Sequence, residues 1–207
     1  MIATQMLDLD IFVALIPFGL VLICILWSGF PKGSEKLIAT WALIDGCVIH
    51  IWIEGVVCLT RRGPQSMVKK FDDFDTRYRD YEPNAMAMVW LELLFQGPGC
   101  VIWYHSIVKN RWYRPFVGII VCSSFVYGTS VFVIAEVMDG CKHIVMENWP
   151  PSFTSSKDVV NFWIIFVFAS TFYIVWPSII IIKYVMEFRP TKDFENIVKK
   201  RRVEKIE

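Results

Sequence analysis

Ala39-Thr40-Trp41-Ala42-Leu43-Ile44-Asp45-Gly46-Cys47-Val48-Ile49-His50-Ile51-Trp52-Ile53-Glu54-Gly55-Val56-Val57-Cys58-Leu59 is an apolar run of the length that crosses a bilayer as a helix. It nevertheless carries Asp45, His50 and Glu54. His50 and Glu54 stand four residues apart, one helical turn, so both project from one face. An ionisable group at bilayer depth costs roughly 2.5–3.5 kcal/mol on insertion scales. Two on one stripe predict a polar pocket inside a helical bundle. Asp45 is five residues from His50, a step that turns it well off the stripe, and it is expected nearer the membrane surface.

Working outward, four more apolar runs cover residues 11–27, 85–108, 115–138 and 160–184. The first is short, broken by Pro17 and ended by Ser28-Gly29. It lacks a basic leader and a small-residue cleavage site, so a retained helix is expected rather than a signal peptide. The chain has 207 residues, 55% hydrophobic and 15% aromatic, with a mean hydropathy of +0.47. That balance is too apolar for an ordinary soluble domain. The fold class expected is an all-α integral membrane protein, a five-transmembrane-helix bundle with an intramembrane pocket. One domain spans residues 1–187, followed by a basic cytoplasmic tail over residues 188–207 that contains Lys199-Lys200-Arg201-Arg202.

The formal net charge is only +1, but it is segregated into the connections and the tail. An orientation with the C-terminus inside places Lys32, Lys36, Lys109, Arg111, Arg114 and the basic tail in the cytoplasm, as the positive-inside rule asks. The loop over residues 60–84 opposes it with Arg61, Arg62, Lys69, Lys70, Arg77 and Arg79. The tail favours N-out, C-in. That loop mixes aromatics with both charge signs, which predicts an ordered cap. The loop over residues 139–158, with Trp149-Pro150-Pro151, reads as an irregular interfacial connection. The six cysteines lie in or beside apolar runs without a CxxC pair, and are expected as small buried hydrophobes.

Glu92 and Gln96 repeat the one-turn spacing in the third run. Polar residues such as Thr129, Ser130 and Thr171 fit a bland role as interhelical glue. His50, Glu54 and Glu92 do not, because ionisable groups at that depth mark function by default. An imidazole and two carboxyls in an apolar pocket suit proton transfer. The chain has no GxSxG, no HExxH and no phosphate-cradling glycine loop, which argues against hydrolysis, metal and nucleotide chemistry. Aromatic rings at similar depth, among them Trp52, Trp90, Phe95, Tyr173 and Trp176, offer faces that attract a cationic centre. Acid, base and aromatic wall together point to a carbocation formed on a greasy substrate.

These residues resemble the emopamil-binding protein family, the sterol Δ8–Δ7 isomerases within the EXPERA group. Ile49-His50-Ile51-Trp52-Ile53-Glu54-Gly55 is similar to the family's I/V/T-H-x-x-x-E-G. Asp75-Thr76-Arg77-Tyr78, preceded by Lys69 and Phe71, resembles D-S-R-Y; Gly97-Pro98, Tyr127-Gly128 and the stretch over residues 162–177 match further pieces. The resemblance implies a proton shuttle through His50 and Glu54. The family's third-helix glutamate falls on Val89 here, with Glu92 one turn away on the same face. An asparagine of the fifth helix aligns with Ser170, and a tryptophan with Tyr173. Glu92-Leu93-Leu94-Phe95-Gln96 is closer to the sigma-2 receptor, a relative that binds sterols and cationic amphiphiles.

The function implied is a cofactor-independent double-bond isomerase of a sterol or terpenoid, acting by protonation and deprotonation, in the endoplasmic reticulum membrane with a lumenal N-terminus. The catalytic set is His50, Glu54 and Glu92. The substrate contacts expected are Trp52, Trp90, Phe95, Gln96, Tyr127, Ser170, Tyr173 and Trp176, with no metal. The alternative is a non-enzymatic sterol or cationic-amphiphile binding protein. Membrane lipids are expected partners, nucleic acid is not, and the sequence leaves a homodimer open.

Overall fold

The computed structural model describes residues 2–188, with side chains from residue 12 onward. The basic run expected in the tail lies outside the described residues. Among the described residues seven helices follow one another: α1 (Ile2–Ser28), α2 (Lys36–Cys58), α3 (Gln65–Phe74), α4 (Thr76–Arg79), α5 (Pro83–Val108), α6 (Arg114–Met138) and α7 (Ser156–Glu187). Among the described residues there is no strand, only an isolated bridge between Asp75 and Ile144. Helices α2, α5, α6 and α7 are long and apolar enough to cross a membrane. The apolar part of α1, Phe12–Ser28, is shorter. Pro17 lies inside α1 without ending it, contrary to the break expected from sequence. Neighbouring helices can satisfy the backbone groups that a proline frees.

Local chemistry sets the helix starts. Glu82 accepts a hydrogen bond from the Ala85 amide, with Pro83 in the first turn, to open α5. Ser155 caps α7 by accepting from the Asp158 amide, and Asp75 caps α4 by accepting from the Arg77 amide. Three of the long helices then widen. Residues Asp45–Cys58 of α2, Glu92–Gln96 of α5 and Val159–Ala169 of α7 are wound as π-helix. Such windings are uncommon and gather at functional sites.

The core lies between α2, α5, α6 and the second half of α7, with α1 packed against it. Trp103, Tyr104, Phe125 and Tyr184 are its large members, and Trp103 Nε1 donates to the Tyr184 hydroxyl at 3.2 Å. Close approach is built in at Gly118: a Cβ there would lie 2.3 Å from the Tyr184 ring and 2.7 Å from Trp103 Nε1. All six cysteines are buried with free thiols.

The bundle is tied at both ends. At one, Arg114 lies 3.1 Å from Glu35 and 2.7 Å from Glu187, and Lys183 pairs with Glu35. At the other, the loop after α2 forms α3 and α4, and the chain after α6 folds onto them. Thr76 N–H donates to the His143 carbonyl and Val145 N–H to the Phe74 carbonyl, each at 3.0 Å. The mixed aromatic and charged loop is thus an ordered cap.

Candidate functional site

A cavity of about 200 Å³ opens where the three π-wound stretches meet α6 beneath the cap. His50 and Glu54 come from α2, Glu92 and Gln96 from α5, Phe125 and Phe132 from α6, Ser170 and Tyr173 from α7, and Tyr78 from α4. A His50 nitrogen and one oxygen each of Glu54 and Glu92 lie within 4.8 Å of one another. His50 Nδ1 is 2.5 Å from Glu54 Oε2. Glu92 Oε2 is buried and has no hydrogen-bond partner. Three groups able to move a proton therefore converge on one apolar, aromatic space.

Asp45 is the departure from the sequence reading. The five-residue step is expected to turn it off the His50/Glu54 stripe, yet Asp45 is 2% exposed and faces His50. Its Oδ2 lies 3.0 Å from His50 Nε2, and its Oδ1 accepts the Tyr173 hydroxyl at 2.6 Å. The π-winding is the physical reason. Where the backbone bonds i to i+5, a five-residue step returns close to the same face, so Asp45, His50 and Glu54 share one stripe.

The expected substrate contacts divide by helical face. Gln96, Ser170 and Tyr173 line the cavity. On α5 the lining face is Ala85, Met88, Glu92 and Gln96, so Trp90 and Phe95 fall to its sides and are about half exposed. Tyr127 is 73% exposed, while its neighbours Gly128 and Thr129 face inward. Trp52, two residues past His50, turns to α1, where its Nε1 donates to the Val13 carbonyl at 2.7 Å. Trp176 packs into the core against Trp41 and Phe172. Phe125 and Phe132 were not singled out from sequence. With Gly128 and Thr129 they repeat at three- and four-residue steps along α6, which is the signal that marks the face.

The cap contributes Phe74 and Tyr78 to the cavity wall. Arg77 is buried, donates to Asp75 at 2.6 Å, lies 3.2 Å from Glu136 and sits 4.5 Å over the Phe132 ring. Glu136 also accepts from the His143 amide at 2.9 Å and lies 3.0 Å from its Nδ1. Burial, and then the nearby charges of Glu92 and Glu54, hold the Tyr78 phenol well above its ordinary range. It therefore stays a neutral donor over the cavity.

The sequence profile of the family described as EXPERA (EXPanded EBP superfamily) matches residues 67–184. The chain belongs to the EXPERA family. The matched segment takes in the cap and α5 to α7, and begins after His50 and Glu54. A relative from rice (Oryza sativa subsp. japonica), named probable 3-beta-hydroxysteroid-Delta(8),Delta(7)-isomerase, is 23% identical over 193 residues. That alignment covers 86% of this chain and 82% of the relative, so it includes most of the EXPERA protein described here.

Proposed function

We propose that this EXPERA protein is a cofactor-independent isomerase that shifts a carbon–carbon double bond in a sterol or related terpenoid within the membrane. The observation that supports it most is the convergence of His50, Glu54 and Glu92 in a cavity otherwise walled by apolar and aromatic side chains. The rice relative's name and the family support the same reading.

The unpartnered oxygen of Glu92 points to that residue as the acid. A proton passes from Glu92 to one alkene carbon, leaving a tertiary carbocation and a carboxylate. The rings of Tyr78, Phe125, Phe132 and Tyr173 present faces to that cation, an attraction worth about 2 kcal/mol or more when desolvated. Glu54, its own proton first passed to His50 Nδ1, then takes a proton from the neighbouring carbon and the double bond closes one position along. Glu54 returns that proton to Glu92, and His50 gives back to Glu54 the one it held. Nothing is oxidised or reduced, so the chemistry calls for no redox group. Both nitrogens of His50 already face carboxylates, which favours a role behind Glu54 over direct attack on substrate.

The cavity is smaller than the ~300–1,000 Å³ of ordinary small-molecule sites. A tetracyclic substrate is accommodated by placing its reacting rings there and extending the remainder between the helices into lipid. In this reading α1 is a fifth span, with the N-terminus lumenal and the C-terminus cytoplasmic in the endoplasmic reticulum.

Expression in a yeast strain lacking sterol Δ8–Δ7 isomerase, with extracted sterols read by mass spectrometry, tests the proposal. Appearance of Δ7 sterols is the expected result. Unchanged Δ8 sterols from cells that express the protein would defeat it for sterols, and would favour a binding protein that uses the same carboxyls to hold a ligand.

A further inference from the structure

We infer that Asp45 is a positioning residue, which with Tyr173 fixes the Nε2 proton of His50 and thereby sets the direction in which the proton relay runs. The inference rests on the isomerase reading and deepens it. A neutral imidazole carries one N–H and one lone pair, and the partner on one nitrogen decides which is which. Asp45 Oδ1 is taken by the Tyr173 hydroxyl at 2.6 Å, a hydrogen bond that holds the carboxylate in place from α7. Its Oδ2, 3.0 Å from Nε2, is then an acceptor that keeps the proton there. Nδ1, 2.5 Å from Glu54, is left as the nitrogen that gains and loses a proton.

The step balances within the chain. When Glu54 hands its proton to Nδ1 it becomes a carboxylate and His50 an imidazolium, both of whose N–H groups face carboxylates. Asp45 takes no part in the transfer and stabilises that cation without touching substrate, the part that a buried aspartate plays behind a catalytic histidine. Asp45 is absent from the cavity lining, so its carboxylate is not spent on the ligand.

The groups around His50 come from five of the helices. Asp45 and Glu54 lie on its own helix, Glu92 on α5 and Tyr173 on α7, with Tyr78 of the cap across the cavity. Helix α6 contributes the uncharged Phe125 ring at 5.1 Å.

Asp45→Asn keeps the shape and removes the charge. Expected are a fall in kcat of at least tenfold with KM changed less than twofold, and a pH–rate limb for loss of the His50 proton that moves to lower pH. The direction follows because a carboxylate beside an N–H favours the protonated ring. Equal kcat and an unmoved limb in the folded variant would overturn the assignment. A second readout needs no variant at position 45. The chain has only three histidines, so histidine-selective ¹⁵N labelling of the detergent-solubilised protein, assigned with His105→Gln and His143→Gln, resolves His50. Nε2 should remain protonated throughout the pH range in which the protein is folded, and an unprotonated Nε2 overturns the inference. A wild-type protein without turnover would instead sink the isomerase reading, and the Nε2 signal would still decide the placement of the proton.

Discussion

Glu54 and Glu92 reach towards each other from two π-wound helices, an oxygen of each within 4.8 Å of the other and of a His50 nitrogen. Of these three residues, Glu92 is the one with an oxygen that is both buried and without a partner. Within the set this makes the two carboxyls unequal: Glu54 is held by His50 at 2.5 Å, and Glu92 keeps one oxygen unpaired.

Glu92→Gln should therefore lose turnover by about 10²–10⁴-fold, the range spanned by a general acid. Its thermal midpoint should stay close to that of the wild type, because the amide keeps the volume and neutrality of the protonated carboxyl that the acid role requires. A rate within threefold of wild type, measured on purified protein with a Δ8 sterol, would reassign the acid.

Moving the carboxylate to Val89, the position that the resemblance implies, is not expected to rescue that loss. Val89 is fully buried and does not line the cavity, whereas Met88 and Glu92 on either side of it do. The double change Glu92→Thr with Val89→Glu puts a carboxyl into packed hydrocarbon, so it should remain inactive and lower the yield of folded protein. Size-exclusion profiles and sterol products from the same preparation separate the two effects.

Tyr78 supplies the alkaline side of the stability curve. Its phenol is held well above the ordinary 10.0, first by burial and then by Glu92 and Glu54. A folded-state value raised above the unfolded one gives stability that is complete below about 10 and is lost as pH rises towards the folded value. Tyr78→Phe cannot lose it. The wild type should fall further than the variant in thermal midpoint between about pH 8 and about pH 11, and parallel curves would count against the buried phenol.

The helices and the His50/Glu54 pair were legible because apolar length and a four-residue step report directly on span and face. Asp45 was not. Its place depends on a change from i→i+4 to i→i+5 bonding, and Asp45-Gly46-Cys47-Val48-Ile49-His50 shows no proline or polar pattern that announces the wider turn. Depth alone does not choose among the aromatics. Trp90, Phe95 and Tyr127 lie outside the cavity lining and are about half exposed or more, while Phe125 and Phe132 follow the period that Gly128 and Thr129 share. The cap was half legible: mixed charges predicted order, but the pairing of Arg77 with Glu136, far along the chain, requires the fold.

Gly118 tests the packing that supports the site. Its missing side chain makes room for Tyr184 and Trp103, two fully buried rings that hydrogen-bond each other. Gly118→Ala should cost about 1–3 kcal/mol, the usual range for overpacking, and should separate α6 from the second half of α7. A variant with an unchanged thermal midpoint would mean that the two rings can shift together.

Arg77 gives the largest stability effect expected outside the relay. It is the buried cation between Asp75 and Glu136, both with no exposed surface, and it covers one face of the cavity ring Phe132. Removing one partner of a buried pair leaves an uncompensated charge, at a cost of about 3–5 kcal/mol. Arg77→Met should therefore unfold the cap at a lower temperature and loosen Phe132, lowering turnover with it. Adding Glu136→Gln to that variant should recover part of the lost stability, because one of the two stranded carboxylates is then gone. Thermal unfolding of the single and double variants decides the point: if the second change lowers the midpoint further, Glu136 is held by His143 and its amide rather than by Arg77.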